Sequence, residues 1–179
     1  MRDAKVNNVA LFVDIGNLYY CVNRRYPEAK LDYQKLLTRA KTYGNLIRAF
    51  AYGSQVNEEA VNFITCLKAI GYDTKYKRPK VITTPEKGDV MIRANWNVGI
   101  TIDVVNLVVN KKCDIIILAS SNPELIQLIQ WVKTQGIRCL LLACGIPKDL
   151  KEVADQYTEI DASLIENKAE TQNEVVKTA

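Results

Sequence analysis

The sequence predicts an α/β domain: a parallel sheet with helices on both faces. Three observations point there. Three short apolar runs rich in branched residues, NVALFVD (8–14), CDIIILAS (113–120) and IRCLLLAC (137–144), read as buried central strands. Segments with apolar residues three and four apart lie between such runs, as amphipathic helices require. Gly71 and Gly136 each follow a helical pattern and precede a strand pattern, the usual place for a helix-ending glycine. Strand–helix alternation brings successive strands parallel.

Along the chain, the first strand ends on Asp14. A helical pattern covers 33–42, LIRAFAYG (46–53) is a fourth strand candidate, and 57–69 is helical again. YDTKYKR (72–78) is a weaker fifth strand. Helical spacing returns at 98–109 and, after the strand at 113–120, at 123–134. The strand at 137–144 precedes a short helical stretch at 148–155. From Ala162 the chain turns polar and ends ENKAETQNEVVKTA. The expected organisation is one domain over 1–161 and a disordered tail over 162–179. No internal repeat is visible.

A chain of 179 residues is long enough for one such domain with a substantial core. An apolar content of 48% argues against global disorder, and a net charge of +4 permits a polyanionic partner. There is no histidine, which excludes Ser-His-Asp and Cys-His nucleophile pairs and Cys₂His₂ zinc sites. Acid–base work would fall to carboxylates, Lys, Tyr, Cys or a metal-bound water. The five cysteines are odd in number and form no C-x-x-C; three lie in or beside apolar stretches and read as small buried hydrophobes, which fits a reducing cytoplasm. No signal peptide or bilayer span is visible, and the expected location is cytoplasmic without membrane contact.

Ligands of an open α/β sheet bind beyond the carboxyl ends of its strands. Three stretches fall there. In VDIGN, Asp14 leaves a strand and Gly16 and Asn17 follow. Asp14 either ligates a hard cation such as Mg²⁺ or caps the next helix. In NWNVGITID, Asn97 suits the cap of a helix starting near Val98, and Asp103 follows six residues on, bordering the same cleft or simply exposed. In SSNPEL, Asn122 suits an N-cap, Pro123 the first helical position and Glu124 the positive first turn.

Together these stretches resemble the NYN/LabA-like family of PIN-fold ribonucleases. The pieces match in order: ALFVDIGNLYY, NWNVGITIDVV, IIILASSNPELIQLIQWVKTQGIRCLLLACG and LKEVADQYTEID. The resemblance covers about residues 8–161. It implies a Rossmann-like PIN fold whose strand-end acids bind Mg²⁺ or Mn²⁺ and cleave RNA. By position, Asp14 and Asp103 match family acids and would hold the metal, while Asn17 would orient water or phosphate. The family's Asp stands as Asn97 here, and often also at Asn95. Its S-G-D-S-D-F motif reads SSNPEL, so Asn122 and Glu124 take the places of two acids. Asp89, in EKGDV, resembles a further family acid. Both Asn exchanges preserve helix starts and remove the charge that holds a cation.

Lys75, Lys77, Arg78, Lys80, Lys87 and Arg93 lie within 72–93, with Tyr72 and Tyr76 between them. Cations interleaved with aromatics suit an RNA backbone, whereas an edge strand blunted by Lys is the structural alternative. The expected function is therefore a metal-dependent RNA endonuclease weakened by its Asn exchanges. The alternative is an inactive RNA-binding or protein-interaction module on the same fold. Single-stranded RNA is the expected partner, and a homodimer is compatible with the sequence. Nucleotide binding ranks last, because no G-x-G-x-x-G follows the first strand.

Overall fold

The computed structural model describes residues 6–54, 57–84, 88–92 and 95–166, with side chains described outside 80–94. Six strands form one sheet: β1 (Asn8–Asp14), β2 (Asn45–Ser54), β3 (Asp73–Lys77), β6 (Ile115–Ala119), β7 (Arg138–Ala143) and β8 (Gln156–Glu159). Their order is β3-β2-β1-β6-β7-β8, and every neighbouring pair is parallel. A separate antiparallel pair, β4 (Lys80–Thr84) and β5 (Gly88–Ile92), lies between β3 and the next helix in sequence.

The central strands form because they have no polar face to expose. Val9–Val13 and all five residues of β6 are buried, as parallel strands covered on both sides must be. Flanking them are α1 (Ile15–Arg25), α2 (Tyr33–Lys41), α3 (Glu58–Ala69), α4 (Asn97–Val109), α5 (Ile126–Thr134) and α6 (Lys148–Val153). Side-chain caps start three of them: Asp14 accepts from Asn17 N–H, Asp32 from Lys35 N–H and Asn57 from Ala60 N–H. Cys113, Cys139 and Cys144 are buried in the core and Cys66 is exposed. On α4, Val98, Ile102 and Val109 face outward.

The expected strands and helices are all present; the antiparallel pair β4–β5 is an addition to the sequence reading, and three further features differ from it. First, the sequence reading gives the helix after Asp14 no range; it is α1, which packs Leu18 and Val22 on the core and leaves Tyr19 and Tyr20 exposed. Second, β8 is a polar edge strand, recognisable only through its pairing with β7. Third, the chain stays packed through Glu166, beyond the expected boundary at 161. Leu164 and Ile165 are buried, Ile165 bridges Leu31, and Asp32 N–H donates to Leu164 O at 2.8 Å. The apolar pair Leu164–Ile165 covers the start of α2 and outweighs the polar composition around it. The remainder of the expected tail, 167–179, lies outside the described residues.

Candidate functional site

The strand order dictates where a site belongs. From β1 the chain builds outward to β3, then returns to place β6 on the other side of β1. The carboxyl ends of β1 and β6 therefore flank the point where the winding reverses, the place where open α/β sheets bind their ligands. Asp14 ends β1, and Ser120, Ser121 and Asn122 leave β6 beside it.

Asp14 is both cap and site residue. Its Oδ1 accepts from Asn17 N–H at 3.1 Å, and its Oδ2 accepts from the Ser120 hydroxyl at 3.5 Å. Burial pushes its carboxyl above the usual aspartate range, although Asn17 N–H, the Ser120 hydroxyl and Gly16 N–H pull the other way. Asn17 turns inward as a strut. Its side-chain oxygen accepts from Ser121 N–H at 2.8 Å and the Ser121 hydroxyl at 3.1 Å, and Cys21 Sγ lies 3.1 Å from that hydroxyl. The start of α1 is thereby locked to the exit of β6.

Asn122, Asn97 and Glu124 meet at the opposite wall. Asn122 caps the 3₁₀ turn Pro123–Leu125 by accepting from Glu124 N–H at 3.1 Å. Its side-chain amide donates to Asn97 Oδ1 at 2.9 Å, and the Asn97 amide donates to Glu124 Oε2. Asn122 N–H also donates to Ser120 Oγ at 3.2 Å, which connects this wall to Asp14. Asn97 is the first residue of α4, not its cap as the sequence suggested. Asn95 instead accepts from Asn97 N–H at 2.8 Å, which frees the Asn97 side chain to face Asn122.

Asp103 does not join this chain of contacts. Its oxygens accept from Lys75 Nζ at 2.7 and 2.6 Å and from the Tyr52 hydroxyl at 2.6 Å. Tyr52 is fully buried, and burial, then the bond to Asp103, pushes its hydroxyl far above the ordinary tyrosine range. It is a neutral donor here. Trp96 packs on Tyr52 with ring centroids 5.4 Å apart and donates its indole N–H to Gly53 O at 2.8 Å.

The expected basic rim divides. Lys75 is committed to Asp103, while Lys77 sits 4.0 Å above the Trp96 ring and Arg78 is exposed. The Lys80 side chain, Lys87 and Arg93 lie outside the described residues, as does the Asp89 side chain. Sequence reading gave no role to Ser120, Ser121, Tyr52 or Cys21. Ser120 and Ser121 are the buried polar residues of the domain among those described, and their place directly after a buried strand was the available signal.

Among the described residues, no three His, Cys, Asp or Glu side chains are grouped to hold a metal ion. Asp103 has its oxygens taken by Lys75 and Tyr52, and Asn97 and Asn122 bring amides where carboxylates would be needed. The donor set among the described residues does not fit a divalent-cation centre of the expected kind.

The NYN domain model matches residues 8–161, most of the chain. The chain belongs to the NYN domain family. NYN domains are generally nuclease-like, and the nucleases among them typically depend on divalent metal. This NYN domain is similar in structure to a protein of unknown function, VPA0982, from Vibrio parahaemolyticus RIMD 2210633. The two share 22% identity with a TM-score of 0.78 over 93% of this chain and 100% of that one. A weaker likeness, at 17% identity and a TM-score of 0.43, is to phosphofructokinase-2 from Escherichia coli in complex with potassium. It covers 84% of this chain and 57% of that one. No curated protein matches the sequence. Among the described residues, no helix is long and apolar enough to cross a membrane.

Proposed function

We propose that this NYN domain binds single-stranded RNA at the carboxyl edge of its sheet, with the family's metal-dependent cleavage lost. The observation that carries this reading is the 2.9 Å bond from Asn122 to Asn97. Two carboxylates at these positions would repel one another unless a cation lay between them. Two amides instead satisfy each other, donor to acceptor. The corner is therefore complete without a metal, and its reduced negative charge no longer opposes a phosphate backbone. Lys77, held over the Trp96 ring, and the exposed Arg78 supply nearby positive charge.

The weakened nuclease is the second reading, favoured by the retained Asp14 at the end of β1, with Glu124 on the opposite wall. The test is a fluorescent single-stranded RNA, followed by anisotropy and on a gel. The binding reading expects salt-sensitive affinity in EDTA and intact RNA in millimolar Mg²⁺ or Mn²⁺. Metal-dependent cleavage that disappears in Asp14→Asn would establish the nuclease instead. Absence of binding at low salt would remove RNA as the partner.

A further inference from the structure

One turn beyond Asn17, α1 presents a second surface. Tyr20, Cys21, Arg24 and Arg25 fall at i, i+1, i+4 and i+5, one strip of a helix. With Cys144 and Gly145, just past β7, they line a cavity of about 370 Å³. Tyr20 and Arg24 point away from Leu18 and Val22, which hold α1 to the core, while Cys21 packs at the core's edge and Arg25 ends the helix. Tyr20 is 62% exposed, although a tyrosine beside a core helix face would ordinarily pack.

The charge at this cavity is in excess. Glu159 accepts from Gly145 N–H at 2.8 Å and Ile146 N–H at 3.4 Å, and it pairs with Lys151 at 3.0 Å and Arg25 at 3.6 Å. One carboxylate is thus shared by two cations. Arg24 is exposed and has no ion-pair partner among the described residues. Gly145 makes its turn at φ 61°, a conformation that suits glycine, and leaves the cavity mouth without a side chain.

We infer that Tyr20, Arg24, Arg25 and Gly145 form a nucleotide subsite that holds single-stranded RNA next to the carboxyl ends of β1 and β6. Guanidinium groups match phosphate oxygens in fork geometry, and an exposed tyrosine ring stacks a base of any identity. The subsite adjoins the end of β6 through Cys21, whose sulfur lies 3.1 Å from the Ser121 hydroxyl. A strand leaving the Asn97–Asn122 corner therefore has a second anchor along α1. This inference rests on the RNA reading above and adds the direction in which the strand runs.

The experiment measures affinity for a fluorescent single-stranded RNA across a salt series. It uses the native chain, Tyr20→Ala, Arg24→Ala and, as a marker of the β3 rim, Lys77→Ala. Tyr20→Ala should weaken binding roughly fivefold or more at every salt concentration. Arg24→Ala should weaken it and reduce the slope of log affinity on log salt by about 0.7, one single-strand phosphate contact. Arg24 is chosen over Arg25 because it anchors no ion pair among the described residues. RNA should also slow alkylation of Cys21 in a Cys66→Ser background. Native affinity and slope in both α1 variants, with Lys77→Ala impaired, would overturn the subsite and leave the RNA reading standing. An alkylation rate unchanged by saturating RNA would overturn it as well. A native chain that binds no RNA would overturn both.

Discussion

Asn122 donates its side-chain amide to Oδ1 of Asn97 at 2.9 Å, joining the exit of β6 to the first turn of α4. The Asn97 amide in turn donates to Glu124 Oε2, so two neutral side chains buffer the one carboxylate at this wall. Each amide is both donor and acceptor, and a carboxylate in either place could only accept.

Replacing both amides by acids should make the fold depend on metal. In EDTA, Asn97→Asp/Asn122→Asp should lose about 1–3 kcal/mol, since both hydrogen bonds go and three carboxylates meet. In millimolar Mg²⁺ its melting temperature should recover, because a cation that binds only the folded state stabilises it. The native chain should melt alike in both buffers. A native chain strongly stabilised by Mg²⁺ would show that its own residues already hold a cation.

Lys75 should behave as a structural residue. The side chain of Asp103 is 14% exposed, and Lys75 and Tyr52 are its partners. Lys75→Ala leaves that carboxylate with the tyrosine alone and should lower stability by about 1–3 kcal/mol. Lys75→Met/Asp103→Asn should lose less than the sum of the two single changes, because neither charge is then stranded. Urea titrations of the four proteins give the coupling. Additive losses would mean that the pair does not act as a unit.

The fold was legible because its central strands are continuous apolar runs and its helices carry spacing of three and four. What escaped were the extent of α1, the polar edge strand β8, the antiparallel pair β4–β5 and the packed turn at 162–164, whose buried Leu164 stands in a polar stretch. At the site, the positions of Asp14, Asn97, Asn122 and Glu124 followed from strand ends and helix starts. The partner of Asp103 did not, because Lys75 reaches it from β3, and no spacing along α4 reveals a neighbour on another element. The sequence therefore presents Lys75 as a rim cation, whereas its charge pairs with Asp103.

Asp14→Asn should stabilise the domain at neutral pH. Burial raises the Asp14 pKa above 3.8, so between the two values the folded chain keeps a proton that the unfolded chain releases, and above both the buried carboxylate is the costlier one. Stability from this group is full below the ordinary value and falls as pH rises through the raised one. Asparagine caps α1 about as well as aspartate, and it carries no charge to desolvate. The variant should therefore melt higher than the native chain near pH 7, and the difference should shrink towards pH 4 and below. A variant less stable at neutral pH would mean that the ionised carboxylate is a net asset to the fold.

Gly99→Ala should destabilise the domain, against the usual preference of helices. In an open helix this change gains about 1 kcal/mol. Here a Cβ on Gly99 would stand 2.7 Å from Cε3 of Trp96. That ring has little room to retreat: its N–H is bonded to Gly53 O at 2.8 Å, one side lies against Tyr52, and Lys77 sits above it. The added methyl must lift Trp96 from Tyr52 or shift the start of α4, and overpacking of this kind typically loses 1–3 kcal/mol. Because the sequence holds two tryptophans, Trp131→Phe isolates the Trp96 emission. In that background Gly99→Ala should lower the urea midpoint and move the emission to longer wavelength as the ring meets water. A higher midpoint with unchanged emission would show that the first turn of α4 yields freely, and that glycine is not what seats Trp96 over Tyr52.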